Sequence, residues 1–292
     1  MSAGKQRPGI TPPRIEKLGI IAGSGDLPLK LVLSCEAQGI SPFIVAIEGH
    51  ADPSLYAGRD HIVSRPGAAG YIVKTLKERG IKDLIMIGAV KRPRLAAIRP
   101  DLFTARFLAR LGVRALGDSD FLSAIRAGLE EEGFTVHAVQ DFMYEDILMP
   151  KGVLGKYKPS GQDLLDIAYG MEVSQAIGEM DIGQAAIVFE GRVLGVEGAE
   201  GTNGLIKRCG AYKEGRKGGV LVKTCKPQQD KALDLPTIGA ETLRLCVQSK
   251  IDGIAVQAGS AFLLDAEAVR EIANTNGLFV VGLPEDLKFE DA

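Results

Sequence analysis

The segment from Lys223 to Gly239 carries the residue types best suited to chemistry in this sequence. It places two carboxylates, Asp230 and Asp234, among three lysines. Carboxylate oxygens are ligands that Mg²⁺ prefers and lysines attract phosphate oxygens, so the mixture predicts a magnesium-dependent phosphoryl-transfer site. The residues assigned to this site are Lys223, Lys226, Asp230, Asp234 and Thr237, with the two aspartates as metal ligands. The alternative is a surface loop in which Asp234 and Thr237 serve the start of the following helix.

Two glycine-containing loops in the N-terminal half follow apolar runs typical of buried strands. Backbone N–H groups after a strand, together with a helix N-terminus, can hold a phosphate. The candidate substrate-binding residues are Gly23, Ser24 and Gly25 in the first loop, and Gly88, Ala89, Val90, Lys91 and Arg92 in the second. The alternatives are a tight turn whose helix is capped by Asp26 and a solvated basic loop. A dinucleotide fingerprint would need a glycine where the chain has Pro28, which argues against a nicotinamide-dependent oxidoreductase.

Two further glycine-containing segments begin predicted helices and add candidate substrate ligands. Asp118 follows a glycine in the first segment, and Glu200, Gly201 and Thr202 form the second. A carboxylate or a hydroxyl in such a position can contact a polar substrate. Each segment has an alternative interpretation as a helix cap.

The composition excludes several classes of protein. The chain has 292 residues, 46% of them apolar and 25% charged, and its net charge of −2 gives no support to nucleic-acid binding. It contains no H-E-x-x-H, G-x-S-x-G or Walker A motif, which excludes zinc hydrolases, serine hydrolases and P-loop enzymes. Its four cysteines are widely spaced, and we find neither a signal peptide nor an apolar run of about 20 residues. We therefore expect a cytoplasmic protein that does not span a membrane.

Short apolar runs alternate with helical patterns along the chain, which predicts an α/β fold with two α/β domains. The first domain is expected at residues 1–143, with a flexible lead at 1–14 and a Rossmann-like parallel sheet. Pro and Gly punctuate residues 144–161, which predicts a linker. Residues 162–292 are expected to form a smaller domain with a mixed sheet that carries the D-L-P-T-I-G motif.

Three local predictions within these domains depend on periodicity and turn residues. They are a strand at 134–139, a hairpin at 185–197 with its turn at Gly191, and a helix at 237–249.

One predicted helix has a basic stripe that could contact a membrane surface. Arg106, Arg110 and Arg114 are spaced four apart beside Phe103 and Phe107. Such a helix can rest on anionic lipid headgroups. The alternative is an ordinary amphipathic helix that buries its phenylalanines and solvates its arginines.

Five motifs, taken in order, resemble those of one enzyme family. They are A-G-S-G-D-L-P at 22–28, G-A-V-K-R-P at 88–93, D-I-G-Q at 181–184, V-E-G-A-E-G-T at 196–202 and K-P-Q-Q-D-K-A-L-D-L-P-T-I-G at 226–239. Over residues 17–283 the chain is similar to the UDP-2,3-diacylglucosamine diphosphatases of lipid A biosynthesis, in their non-metallophosphoesterase form.

The resemblance implies a two-domain, homodimeric hydrolase that uses Mg²⁺. It would cleave the diphosphate of UDP-2,3-diacylglucosamine to UMP and 2,3-diacylglucosamine 1-phosphate, and Asp234 would be the aspartate that the family's D-[LV]-P-T-I-G motif needs for catalysis. Because that substrate carries two acyl chains, we also expect transient contact with the inner face of the inner membrane. The alternative is a protein that binds a nucleotide sugar or a lipid sugar without catalysis.

The chain departs from the family pattern at two positions. Asn203 and Ser119 stand where the family's E-G-T-D and G-D-D motifs end in aspartate. Both replacements remove a carboxylate, so neither position can supply an anionic metal ligand in this chain.

Overall fold

The computed structural model describes residues 15–90, 99–111, 118–143, 147–213, 215–227, 229 and 235–284. These residues form two compact units, one containing the described positions up to 143 and the other those from 147 onward. The predicted site residues Lys91, Arg92, Asp230 and Asp234 lie outside the described residues, as does the side chain of Asp118.

The first unit is built on a parallel sheet. Its strands are β1 (Lys17–Ala22), β2 (Ser41–Ile47), β3 (His61–Ser64), β4 (Asp83–Ile87) and β5 (Thr135–Val136). They pair in the order β3-β2-β1-β4-β5 and every pair is parallel, which confirms the predicted Rossmann-like sheet. The strand order reverses between β1 and β4, and an open α/β sheet binds its ligands at such a switch point.

Helices and two short 3₁₀ turns connect these strands. The helices are α1 (Leu27–Ala37), α2 (Ala69–Glu78), α3 (Leu102–Leu111) and α4 (Asp118–Glu131), and the 3₁₀ turns are Pro53–Tyr56 and Val139–Asp141. Apolar side chains of β2 and β4 pack against Leu76 of α2 and Leu129 of α4 in a buried core. The strands are covered by helices, and this is why they are almost continuously apolar in sequence.

The predicted strand at 134–139 is shorter in the structure. Only Thr135 and Val136 pair with β4, and the 3₁₀ turn follows. The carbonyl of Phe142 accepts hydrogen bonds from Ser34 Oγ and Gln38 Nε2 of the α1 region, at 2.7 and 2.8 Å. These tertiary bonds hold the chain that follows the strand and the 3₁₀ turn against α1.

The second unit contains a six-stranded mixed sheet and a separate parallel pair. The six strands are β6 (Gly152–Val153), β7 (Ala185–Phe189), β8 (Arg192–Val196), β9 (Val220–Lys223), β11 (Gly253–Gln257) and β13 (Phe279–Leu283), and the pair is β10 (Thr237–Gly239) with β12 (Phe262–Leu264). The sheet order is β6-β13-β11-β9-β7-β8. Strands β9, β11 and β13 are parallel to one another, whereas β6, β7 and β8 pair antiparallel with their neighbours. The predicted mixed sheet is confirmed.

Helices cover both faces of this sheet. They are α5 (Gly161–Glu179), α6 (Gly201–Gly210), α7 (Ala240–Gln248) and α8 (Ala266–Asn276), with a 3₁₀ turn at Ala211–Lys213. Ile167 and Met171 of α5 pack with Val220 and Val222 on one face. Residues of α6, α7 and α8 form the larger core on the other.

The predicted hairpin at 185–197 is confirmed, and a buried carboxylate holds its turn. Glu190 and Gly191 both have positive φ angles, of 51° and 75°, as a two-residue type I′ turn requires. Their N–H groups donate to the carboxylate of Asp166 on α5, at 2.9 and 2.8 Å. The turn is therefore fixed by a side chain of α5 that lies 24 residues before Glu190 in the sequence.

The described part of the predicted linker packs onto the second unit. β6 pairs with β13, Leu148 forms a β-bridge with Phe262, and the side chains of Met149 and Leu154 are buried. Residues 147–160 therefore add an edge to this unit, although their sequence lacks any periodic pattern.

The predicted helix at 237–249 is shorter in the structure, because its first three residues form a strand. Thr237–Gly239 forms β10, which pairs with β12, and α7 begins only at Ala240. Thr237 and Ile238 are β-branched residues, which suit an extended strand. The alternative in which Thr237 serves the start of a helix is therefore wrong.

The phenylalanines of α3 face the interior of the first unit. Phe103 packs against the buried core. The ring of Phe107 packs so close to Gly128 of α4 that a Cβ on this glycine would lie 2.4 Å from Cε2 of the ring. This packing favours the ordinary amphipathic helix for these two residues. Arg106 is exposed, whereas Arg114 and the side chain of Arg110 lie outside the described part. None of the described helices combines the length and apolar character needed to cross a membrane.

Gly170 lets α5 approach the sheet closely, which gives a stability prediction. A Cβ at this position would lie 2.5 Å from Cγ2 of Val222, a branched side chain buried in β9. We expect Gly170→Ala to lower the free energy of unfolding by about 1–3 kcal/mol through overpacking, although alanine normally stabilises a helix. Chemical denaturation measures this change.

The matched control is Gly161→Ala in the first turn of the same helix, where a Cβ would meet no atom within 4 Å. It should leave stability unchanged or raise it. Equal effects of the two substitutions would contradict the close approach of α5 to β9.

Candidate active site

The two predicted glycine loops of the first unit meet at its switch point. They follow β1 and β4, which are neighbours in the sheet. Ser24 and Ala89 exchange backbone hydrogen bonds of 2.9 and 3.1 Å, and Ser24 Oγ also donates to the Ala89 carbonyl at 2.8 Å. The sequence predicts both loops as ligand sites, and the structure brings them together.

This contact uses backbone groups that were expected to bind a phosphate. The Gly23 N–H donates to the carbonyl of Ile87 and the Ser24 N–H donates to that of Ala89. A Cβ on Gly23 would lie 2.7 Å from the Ala89 oxygen, so glycine is required for the close approach. Gly25, by contrast, is exposed, as are Gly88, Ala89 and Val90.

The second unit collects polar residues at one edge of its sheet. Parallel strands β9 and β11 end at this edge, while the antiparallel strand β7 begins and β8 ends there. The topology therefore places Lys223, Gln257, Gln184 and Glu197 together, although they come from distant parts of the sequence.

Lys223 is the buried cation of this edge. Lys223 is 6% exposed. Its Nζ donates to Thr202 Oγ1 at 3.0 Å and to the Thr237 carbonyl at 3.3 Å. Three predicted site residues, from β9, α6 and β10, are thus in direct contact. The contact to Thr237 goes to its backbone, while its side-chain hydroxyl donates to the Leu235 carbonyl.

Glu197 lies directly behind Thr202. Thr202 Oγ1 donates to Glu197 Oε1 at 2.6 Å, and the backbone N–H of Gln184 donates to Glu197 Oε2 at 3.0 Å. Gly183 makes room for this arrangement, because a Cβ there would lie 2.3 Å from the Glu197 carbonyl oxygen. A chain of hydrogen bonds consequently links Lys223, Thr202 and Glu197.

Lys226, the second predicted lysine, forms an ion pair. Its Nζ donates to Asp181 Oδ1 at 2.6 Å, and both side chains are largely buried. Asp181 follows α5 in a left-handed conformation with φ 54°. The side-chain oxygen of Gln229 accepts from the Lys226 N–H, which also holds this loop.

Glu200 and Asn203, which flank Thr202, have partners on the surface. Arg208 donates to the Glu200 carboxylate at 2.7 Å and thereby holds the pKa of that carboxyl below its usual range. Asn203 Nδ2 donates to Glu241 Oε1 at 3.1 Å. An aspartate at position 203 could not make this bond and would face a second carboxylate.

The described residues do not by themselves form a metal site. Among them, no three His, Cys, Asp or Glu side chains are grouped as metal ligands. The carboxylates to which Mg²⁺ was assigned, Asp230 and Asp234, lie outside the described part of the chain. The polar edge of the second unit thus supplies a lysine, hydroxyls and backbone oxygens, together with the carboxylate of Glu197.

Comparison with known protein families covers both units. Residues 17–145 match the model of the LpxI N-terminal domain, and residues 150–281 match that of the LpxI C-terminal domain. The chain belongs to the LpxI family. This finding confirms the resemblance that the five motifs indicated.

A curated member of the LpxI family is similar over nearly the whole chain. It is the protein of Caulobacter vibrioides named UDP-2,3-diacylglucosamine pyrophosphatase LpxI, which is 38% identical over 278 residues. The match covers 92% of this chain and 98% of the relative.

Two carboxylates near the site of this chain were not among the site residues predicted from its sequence. Asp181 and Glu197 contact Lys226 and Thr202, respectively. Both belong to motifs that carried the resemblance, D-I-G-Q and V-E-G-A-E-G-T. That membership was the available signal, but spacing alone could not show which lysine or hydroxyl each carboxylate contacts.

The paired glycine loops predict a specific effect of substitution at Gly88. This residue has φ +91°, and a Cβ there would lie 2.8 Å from the Ser24 carbonyl oxygen. We expect Gly88→Ala to separate the loops and to lower the free energy of unfolding by about 2 kcal/mol or more, because backbone strain and a steric clash add. Thermal unfolding followed by circular dichroism measures the loss.

Gly58→Ala separates the two contributions. Gly58 also has a positive φ, of +80°, but a Cβ there would meet no atom within 4 Å. Its substitution should cost about 1 kcal/mol through strain alone. If Gly88→Ala were no worse than this control, the loop contact would have no energetic role.

Proposed function

We propose that this chain hydrolyses the diphosphate bond of UDP-2,3-diacylglucosamine in lipid A biosynthesis, releasing UMP and 2,3-diacylglucosamine 1-phosphate. The observation that carries the proposal is the similarity, over nearly the full length of both chains, to a relative named for that pyrophosphatase activity. The chain would then be a hydrolase that acts on a phosphoric anhydride.

The polar edge of the second unit supports this chemistry. A diphosphate carries negative charge on its oxygens, and a lysine in a water-poor environment stabilises such charge better than one in bulk water. Lys223 is largely buried, and Thr202 and Thr237 contact its ammonium group. We assign Lys223 to the phosphate oxygens and the Glu200–Thr202 turn to other polar parts of the substrate.

For the first unit, taken by itself, we propose that the loops at its switch point bind polar groups of the substrate. Gly25, Gly88, Ala89 and Val90 are exposed beside each other at the carboxyl ends of β1 and β4. This is the position at which open α/β sheets bind ligands. Lys91 and Arg92, which directly follow, are proposed to contact anionic groups, and Asp118 a polar group of the substrate.

The reaction needs a water molecule and a stabilised leaving group. The oxygen of water forms a bond to one phosphorus, and the bond from that phosphorus to the bridging oxygen breaks. The bridging oxygen leaves with the other phosphate, so that both products are phosphate monoesters. The role of Lys223 in this step is to offset the charge on the phosphate oxygens.

We further propose that the reaction requires Mg²⁺, with Asp234 and Asp230 as its ligands. Magnesium is commonly held by one or two carboxylates together with substrate phosphates. The sequence supports the assignment because both aspartates lie in the lysine-containing segment between β9 and β10.

The activity is tested by chromatographic detection of UMP. The purified chain, given UDP-2,3-diacylglucosamine in detergent, should release UMP with Mg²⁺ and lose this activity with excess chelator. Asp234→Asn should lower turnover at least about a hundredfold, because it removes an anionic ligand of the proposed Mg²⁺. Asp141→Asn, at an exposed aspartate of the first unit, is the control and should retain full activity.

The outcomes separate the parts of the proposal. Saturable binding without UMP release would favour the non-catalytic binding protein. Equal rates with Mg²⁺ and with chelator would contradict the metal requirement alone. Unchanged turnover of Asp234→Asn would contradict the assignment of that aspartate.

The proposal extends to a homodimer with transient membrane contact. A substrate with two acyl chains resides in a bilayer, and Arg106 of α3 is exposed and able to meet anionic lipid. The chain should sediment as a dimer, and it should co-sediment with anionic vesicles at low but not at high salt, because salt screens surface charge. A monomer in sedimentation would contradict the homodimer. Unchanged vesicle binding by a variant in which Arg106, Arg110 and Arg114 are replaced by glutamine would contradict the proposed membrane contact of α3.

A further inference from the structure

Glu197 is a buried carboxylate whose two oxygens both accept hydrogen bonds. Its residue is 7% exposed. Oε2 accepts from the Gln184 N–H at 3.0 Å and Oε1 accepts from the Thr202 hydroxyl at 2.6 Å. Burying a carboxylate is costly unless such partners and a nearby positive charge offset the cost. Here the positive charge is that of Lys223, separated from Glu197 by one hydroxyl.

The direction of these hydrogen bonds is determined by the chemistry of the groups. An ionised carboxylate accepts only, so the hydroxyl proton of Thr202 points to Glu197. The lone pairs of Thr202 Oγ1 are then directed to other donors, and Lys223 Nζ donates to this oxygen at 3.0 Å. Glu197 thereby fixes the orientation of the Thr202 hydroxyl relative to the Lys223 ammonium group.

We propose that Glu197 is a positioning residue, which acts through the Thr202 hydroxyl to fix the direction of the Lys223 ammonium group. Its effect on turnover rests on the proposed function, whereas its effect on Lys223 does not. Glu197 belongs to the segment after β8, Thr202 to α6 and Lys223 to β9, so the relay ties three elements to one cation.

The position of Lys223 can be measured without any substrate. An amine-acylating reagent followed by peptide mass spectrometry gives the labelling rate of each lysine. Lys213 is the internal control, because it is fully buried and donates to the carbonyls of Gly218 and Lys250 near the start of β9, whereas Lys223 ends that strand. Protection of Lys213 reports that the unit is folded.

We expect Glu197→Gln and Thr202→Val to raise the labelling rate of Lys223 about fivefold, as expected for the loss of one hydrogen bond, with Lys213 still protected. An unchanged Lys223 rate in both variants would overturn the proposal. Loss of Lys213 protection in both would also overturn it, since Glu197 would then serve only the stability of the fold.

Kinetics provides a second, independent test through a double-mutant cycle. Glu197→Gln should lower kcat/KM about tenfold in the wild-type background but less than about twofold in the Thr202→Val background, because the relay is already broken there. Thr202→Ser, which keeps the hydroxyl, should restore most of the activity lost in Thr202→Val. Effects of Glu197→Gln that are equal in the two backgrounds would show that it does not act through Thr202.

Glu190→Gln is the matched control. Glu190 lies in the hairpin turn of this unit, is exposed and pairs with Arg216. The kcat/KM of the Glu190→Gln variant should equal that of the wild type. If the wild-type chain releases no UMP, the proposed function fails, and the labelling experiment still decides the role of Glu197.

Discussion

The burial of one ammonium group organises the polar edge of the second unit. Lys223 ends a strand inside the sheet, so its charge needs oxygen partners close at hand. Thr202 and the Thr237 carbonyl contact it, and Glu197 and Gln184 follow in the next layer of hydrogen bonds. The start of α6, the start of β10 and the end of β8 are positioned relative to β9 by this requirement.

Close approach of backbone to backbone is a second constraint, and it appears at both candidate ligand edges. In the first unit Gly23 and Gly88 allow the loops after β1 and β4 to pair. In the second, Gly183 allows the chain before β7 to lie against Glu197. A side chain at any of these positions would force the strands' ends apart, so glycine here serves geometry that the candidate sites depend on.

Several features were predictable because their physical cause is local in sequence. Apolar runs and helical periodicity predicted an α/β sheet in each half of the chain, and the turn at Gly191 predicted the hairpin. The motif from Lys223 to Gly239 begins at the end of β9 and ends with β10. The predicted start of the helix at 237 is wrong because a tertiary contact decided it: Thr237 pairs with β12 in a strand. Tertiary contacts also position β6, which pairs with β13 although its sequence has no periodic pattern.

By itself, the sequence determined the α/β class, the family and the segments that hold the polar residues of the site, since each follows from composition, periodicity or a contiguous motif. Only the tertiary structure decided which of those residues touch. Lys223 and Lys226 are similar in sequence context, yet one contacts Thr202 and the other pairs with Asp181. Strand order and helix placement determine such pairings between segments far apart in the chain, and no local pattern records them.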